Sequence, residues 1–464
     1  MLARFGIRIT LAVLVVRFFT AGPVVAQPEA ARYRLTLDDA IRRGLQTHLR
    51  VGTAQARLEE LGATRERARA GLLPRARLEA TSALQNRNLA ALGISAPGIP
   101  IPDVVGPFST YDVRASAEHP LLDLRAYHTV RAAEKLQAAA QQDYQEARDQ
   151  IVSLVATLYL NAQAAGARLE AARARLATAE ELLRLARERH EVGVATGVDV
   201  LRAEVELADA RQRLLEVQTD EQRALLQLAR NIGLRPGTPI ELAEPLQFEP
   251  LALPEPAPAV AAALSARADY RALLEQRAAL QRELQASRAR RWPRLLLGGN
   301  YGGLGRSVGN LRGTGVLQAT LAVALFDPDR SGEHAEIEAR LRALEAQIAD
   351  RQRGIEQEVR DALLALDSAT AEVRVAEEGL RLAARELELA RERFAAGVAS
   401  NLEVVSAQST LARARQNHIL AVTRHTEFKM ALARAVGATE QNYPRYLGRR
   451  ADPGSEPPRG RHEE

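Results

Sequence analysis

The chain contains no cysteine. That excludes disulfide staples, thiolate metal sites and an acylated amino-terminal cysteine, so any membrane attachment needs another device. Methionine occurs only at positions 1 and 430, which leaves no ligands for a soft-metal relay. Aromatic residues are 4 % of 464, too few for one thick core. No stretch reaches the roughly 18 uninterrupted apolar residues that a spanning helix needs. Charge of one sign is also missing: 63 Lys and Arg against 58 Asp and Glu leave a net charge of +5. The arginines alternate with glutamates along helical stretches, so there is no one-signed patch for nucleic acid. No nucleophile elbow, phosphate loop or Cys/His cluster is found, and no catalytic, cofactor or metal residue is assigned. His418 and His425 read as seam or solvent-facing residues. The glycines of GGNYGGLG, Gly298 to Gly305, follow a strand without opening a helix, so they are no dinucleotide fingerprint.

What is present is a 46 % hydrophobic composition rich in Ala, Leu, Glu and Arg, that of long helices burying many small seams. Residues 1–26 carry Arg4 and Arg8, an apolar run from Ile9 to Phe19 and a small Ala26, the plan of a signal peptide cleaved before Gln27. The rest is duplicated. Arg187 to Gln212, RERHEVGVATGVDVLRAEVELADARQ, repeats at Arg391 to Gln416, RERFAAGVASNLEVVSAQSTLARARQ, at an offset of 204. The offset also relates Asp123 to Asp327 and Ile151 to Ile355, and becomes 219 upstream, where GLLPRARLEA answers RRWPRLLLGG.

The first repeat is expected over 27–234 and the second over 259–437, joined by a proline-rich linker over 235–258. Each copy reads as helix, strand, loop, strand, long helix, tip and returning helix. The opening helices are expected over 40–70, with Thr36 and Asp39 as a capping box, and over 259–291. Strands are expected at 76–88 and 108–119, then at 294–302 and 315–326. Long helices follow over 124–190 and 331–394, rods of roughly 100 Å at 1.5 Å per residue that must pack as coiled coils. After the tips, 191–197 and 395–400, helices return over 198–232 and 401–436, and the tail, 438–464, reads as disordered. In the tips Gly193 and Gly397 permit the positive φ that ends a helix, and Thr196 or Ser400 can cap the next one.

The strands alternate, with Leu317, Ala319 and Leu321 on one face and Gln318 and Thr320 on the other, as a wall between lipid and water requires. Four strands cannot close a barrel. Two chains would give eight strands and a filled interior, whereas three give twelve and a lumen, so a homotrimer is expected. The expected fold class is therefore mostly α with membrane β: a tandem-duplicated, long α-helical coiled-coil barrel plus four strands per chain completing a 12-stranded transmembrane barrel.

The duplicated helix–strand–strand–long helix plan and the tips GVATGVDVLRAE and GVASNLEVVSAQ resemble the TolC-like outer membrane efflux proteins, over about Leu35 to Gly437. The resemblance implies a homotrimer in outer membrane lipid with a periplasmic helical tunnel. It implies a passive exit duct of a tripartite efflux or type I secretion system, for drugs, metal ions or a secreted polypeptide, whose tips dock on a periplasmic membrane fusion protein, itself joined to an inner membrane transporter. Gly193, Val194, Thr196, Asp199, Gly397, Val398 and Ser400 are the docking candidates, although turn formation alone accounts for the glycines. The resemblance also places a ring of acids just past the second tip. Its first carboxylate falls on Glu403 and its second position on Ser406, leaving three carboxylates per ring and implying weaker cation selectivity. Ala399 and Phe394 stand where the family carries an arginine and a tyrosine that lock the closed state, which puts such a latch in doubt. Read without the resemblance, Glu403 is a first-turn acid favoured by the helix dipole. Two alternatives stay open: a periplasmic adaptor, against which no Gly/Val-rich lipoyl-like module is found, and a coiled-coil filament, against which the proline-bounded strand pairs count.

Overall fold

The structure is a computed structural model and describes residues 33–91, 93, 98 and 102–447. The expected signal peptide lies outside the described residues. The elements run β1 (Tyr33–Leu35), α1 (Leu37–Thr47), α2 (Leu49–Ala70), β2 (Arg75–Asn88), β3 (Val104–Leu122), α3 (Leu124–Glu191) and α4 (Gly197–Asn231) in the first half. The second half has β4 (Ile240–Leu242), α5 (Pro256–Ala266), α6 (Ala268–Ala289), β5 (Arg294–Gly305), β6 (Arg312–Ala322), α7 (Asp329–Ala395), α8 (Asn401–Val436) and α9 (Thr439–Tyr446).

The four long strands form one antiparallel sheet in the order β2-β3-β5-β6, so the halves join at β3 and β5 and the outer edges of β2 and β6 are unpaired. Period-2 alternation sorts the side chains by face, since paired residues share a face. The rows Ala76–Ala117–Gly299–Leu317 and Leu78–Ala115–Tyr301–Gly315 are apolar. The intervening row, Arg77–Ser116–Asn300–Val316, is polar except at Val316, and the next, Glu79–Arg114–Gly302–Thr314, is polar. Gly302 matters here. A Cβ would lie 2.3 Å from the Val113 carbonyl, and its absence leaves the Arg114 guanidinium room to reach Thr314 Oγ1 at 3.1 Å and Asn300 Oδ1 at 2.6 Å.

The helices form a second body along the chain, packed on one another rather than on the sheet. In the half nearer the tips the packing order is α4–α3–α8–α7, and in the half nearer the sheet it is α2–α3–α6–α7. The cores repeat with the sequence. Ile151, Val155 and Leu228 in one cluster stand where Ile355, Val359 and Leu432 stand in another. Between the tips Ala179, Leu183, Ala186 and Ala203 face Ala383, Leu387, Ala390 and Ala407 in a shared cluster. Small side chains let these long helices approach closely, and each seam contributes a little over many turns.

Several expectations are corrected. The opening helices are each two helices, broken at His48 and Arg267, which take extended backbone with ψ 128 and 123. Neither break carries Pro or Gly. His48 caps α2 by accepting from Arg50 N at 3.2 Å, while Arg267 is 5 % exposed and turned into an ion network with Asp269 and Glu358. The linker is partly ordered: β4 pairs in parallel with β1, and α5 begins at Pro256, a residue suited to a first helical turn. The tail is not disordered from Ala438. α9 is held by the Arg148–Glu440 ion pair and by Asp149 accepting from Glu440 N at 2.7 Å. The strand expected from residue 108 begins at Val104, because Gly106 and Pro107 fall at a register shift opposite Gln85 and Arg87. The last strand ends at Ala322 rather than at residue 326, since Arg294 is the first residue of β5 to pair with it.

Beneath the linker, His425 is fully buried on α8 against the Phe248 ring, centroids 4.7 Å apart. Burial, reinforced by nearby Lys429, pushes its pKa down to about 4. Lys429 is itself buried and donates to the Glu249 carbonyl at 3.0 Å, pinning the linker to α8.

Candidate functional site: the paired tips

Both long helices end in the same backbone device. Gly193 has φ +77 and Gly397 φ +73. At the first tip Val194 N donates to Arg189 O at 2.8 Å and Gly193 N to His190 O at 3.0 Å. At the second, Val398 N donates to Arg393 O and Gly397 N to Phe394 O, both at 3.1 Å. These are Schellman closures, which satisfy the last carbonyls of a helix through a left-handed glycine. A Cβ at either glycine would meet nothing within 4 Å, so backbone conformation alone selects glycine there. Val194 and Val398 project from the closures, 66 % and 68 % exposed, and Val192 is also exposed. Apolar side chains at a turn with no partner in their own chain are available to another surface.

The following caps differ. At the first tip the Asp199 carboxylate accepts from Thr196 N at 3.0 Å and from the Thr196 hydroxyl at 2.7 Å. These bonds, with the hydroxyl first, hold the Asp199 carboxyl below its ordinary range. At the second tip Ser400 occupies the cap position without a side-chain bond to α8, so only one of the two expected caps forms. Glu403, the counterpart of Asp199, lies 3.5 Å from Arg393 Nε of the outgoing helix. Ser406 is exposed one turn further on. Glu403 is half-exposed, and a pair of that kind contributes about 0–1 kcal/mol.

The two tips are locked to one another by residues that sequence reading did not select. Arg189 donates from Nη2 to the Ala395 carbonyl at 2.7 Å and also bonds the Phe394 carbonyl. Its guanidinium lies over the Phe394 ring, 4.4 Å from the centroid. A cation thus sits on the exposed carbonyls of the α7 C-terminus, where the helix dipole favours it. In return Asn401, fully buried, donates from Nδ2 to the Asp199 carbonyl at 2.8 Å. Phe394 is accordingly engaged by Arg189 rather than by a hydroxyl-mediated latch, and Ala399 makes no polar side-chain contact. The only available signal was the Arg-Glu-Arg run before each glycine, and it could not say that the two copies bind different partners.

No helix among the described residues is long and apolar enough to cross a membrane, and no cluster of three or more His, Cys, Asp or Glu side chains could hold a metal ion.

Comparison with known proteins agrees with this architecture. The outer membrane efflux protein family matches residues 40–234 and 259–438, one span in each repeat. The chain is 28 % identical over 430 residues to the pyoverdine export outer membrane protein OpmQ of Pseudomonas aeruginosa, covering 89 % of this chain and 87 % of that one. It is 27 % identical over 277 residues to the probable efflux pump outer membrane protein TtgC of Pseudomonas putida, covering 57 % of this chain and 56 % of the other. Among solved structures, VceC of Vibrio cholerae superposes with a TM-score of 0.74 at 21 % identity, over 86 % of this chain and 96 % of that one. The open-state MtrE channel of Neisseria gonorrhoeae gives 0.72 at 21 %, over 87 % and 89 %. The adaptor and filament alternatives fall with these matches. A duplicated chain with one four-stranded sheet, two rods of nearly equal length and two glycine-closed tips belongs to the outer membrane efflux protein family.

Proposed function

We propose that three copies of this chain close into a duct through which small organic molecules leave the cell. The observation that carries the reading is that both layers stop at open edges on the same two sides. In the sheet, β2 and β6 present unpaired backbone over 14 and 11 residues, lengths that invite pairing with another chain. In the helical layer the outermost helices carry exposed apolar side chains at coiled-coil spacing. These are Val198, Leu201 and Val205 on α4, and Val375, Leu382 and Leu389 on α7. A contact in which the β2/α4 side of one chain meets the β6/α7 side of the next is head-to-tail and generates a ring. Four strands per chain then give twelve in a trimer, wide enough for a water-filled lumen lined by the Glu79–Arg114–Thr314 face.

In this reading the protein sits in the outer membrane by its sheet and the helical rods extend into the periplasm. The tips, with Val194 and Val398, dock on a membrane fusion protein, and an inner membrane transporter supplies the energy. Glu403 and Ser406 line the narrowest ring, where the Arg393 partner offsets part of the Glu403 field. The names of the relatives, pyoverdine export and efflux pump, support small organic cargo rather than a secreted polypeptide. Envelope fractionation followed by detergent sizing with light scattering tests the assembly. The expected result is a particle of three chains in the outer membrane fraction. A soluble monomer or dimer would contradict the shared barrel.

A further inference from the structure

Between the two hairpins, α3/α4 on one side and α7/α8 on the other, lies a cleft of about 880 Å³. Its floor is apolar, with Ala172, Val217, Leu387 and Leu411, all buried. Its rim is arginine-rich. Arg175 is committed to Glu206 and Asp209, and Arg213 to Glu216. Arg168, Arg391 and Arg415 also line the cleft without a hydrogen bond or an ion pair among the described residues, although Glu427 acts on Arg168 and Glu181 on Arg391 at longer range. Arg413 has only a long bond to Thr410, at 3.4 Å. Two carboxylates share the rim: Glu388, which pairs with Arg385 outside the cleft, and exposed Glu392. The cleft is therefore electropositive over an apolar floor.

A second observation is independent of charge. Gln408 stands in the cleft wall, 5 % exposed, with both amide heteroatoms buried and unpartnered, and the Arg168 Nε is buried and unpartnered too. An unsatisfied buried polar group costs about 1–3 kcal/mol, so such groups in a native wall call for an explanation. The terminal torsion of glutamine is soft, so the amide can reorient.

We propose that this cleft is a binding site for a small amphipathic anion, an organic carboxylate or sulfonate. Its apolar body lies on Leu387 and Leu411 while its oxygens accept from Arg391, Arg415 and the Gln408 amide. Size favours a small molecule over a partner helix. The lining spans about ten residues of α3 and of α8, roughly 15 Å at 1.5 Å per residue, and the volume falls in the range of small-molecule sites. The site requires neither the trimer nor the exit-duct reading, because all four helices come from one chain.

The test uses 2-naphthoate, with 2-naphthylmethanol as the uncharged analogue and 2-naphthylmethylammonium as the cation. Each is titrated calorimetrically into the full detergent-solubilised protein, and variants are compared in the same micelle so that partitioning cancels. Saturable naphthoate binding is expected, with neither analogue competing. Arg391→Gln and Arg415→Gln are each expected to weaken it about tenfold, the loss of one charge-assisted hydrogen bond. Gln408→Leu is expected to weaken binding while leaving the unliganded protein as stable as before or more so, since it removes an unsatisfied amide; a merely structural glutamine would show the reverse. Should Gln408→Leu fail to fold, the two arginine variants decide the matter. Equal binding of the uncharged analogue, or naphthoate binding indifferent to both arginine variants, overturns the proposal. So does an absence of naphthoate binding; if the arginine variants then also lose membrane-fusion-protein cross-linking, the cleft belongs to a partner helix. None of these results bears on whether the chain forms a trimeric duct, which sizing reads separately.

Discussion

The two tips share one backbone and use equivalent side chains differently. Arg189 and Arg393 are the same position in the repeat, as are Thr196 and Ser400, and Asp199 and Glu403. Arg189 leaves its own hairpin and binds the end of the other, whereas Arg393 stays home on Glu403. Asp199 closes a local cap and Glu403 does not. Asn401 reaches across to the Asp199 carbonyl, and its counterpart Gly197 has no side chain with which to reciprocate. Duplication kept the turn, which depends on one glycine and nearby carbonyls. The lateral contacts became asymmetric, as they must when two similar hairpins stand side by side and each meets a different neighbour. Each tip therefore holds the other through a different residue, Arg189 from the first and Asn401 from the second.

Arg189→Ala removes two bonds to helix-end carbonyls and a cation–π contact. It is expected to destabilise the tip region by about 2–3 kcal/mol, read as faster amide exchange in residues 390–400. Arg393→Ala is expected to change it by less than about 0.5 kcal/mol. Equal effects would erase the asymmetry.

Gly193→Val and Gly397→Val impose a left-handed backbone on a β-branched residue. Each is expected to cost about 1–3 kcal/mol, of similar size at the two tips, read as a lowered melting temperature of the assembled protein. A loss confined to one tip would mean that space or a partner, not φ, selects that glycine.

Asp199→Asn is expected to lose about 1 kcal/mol of cap, and Glu403→Gln only a few tenths. The first effect depends on pH. The folded carboxyl of Asp199 is held below its unfolded value, so the unfolded chain takes up the proton first as pH falls. Its contribution is full above about pH 4 and fades as pH drops through the folded value, so thermal melts of Asp199→Asn and the parent protein should converge in acid. A gap that persists there would remove the carboxylate from the cap.

The turn glycines were legible because helix termination is local: Gly193, Gly397 and the carbonyls that close on them lie within a few positions. The face alternation of the strands was legible for the same reason. Arg189 was not, since its acceptors lie 205 and 206 residues away and its own repeat offers a nearer carboxylate pattern. The breaks at His48 and Arg267 were hidden because periodicity continues across them; a local cap by His48 holds the first, and Asp269 together with distant Glu358 holds the second. α9 was hidden by composition: its helix depends on Arg148 and Asp149, far away in sequence. Local chemistry could be read, and the pairing of two copies could not.

Closure of the sheet across chains is the claim on which the duct depends, and the absence of cysteine makes it directly measurable. Single cysteines on β2, Ala76→Cys, Leu78→Cys or Ala80→Cys, are combined in one chain with Leu317→Cys or Ala319→Cys on β6 and oxidised in outer membranes. Within one chain these edges are separated by two strands, beyond the roughly 7 Å that a disulfide spans. The account expects at least one combination to give covalent dimers and trimers on a denaturing gel, and nothing larger. Failure of every combination to link, or a ladder extending past three chains, would contradict a closed barrel of three.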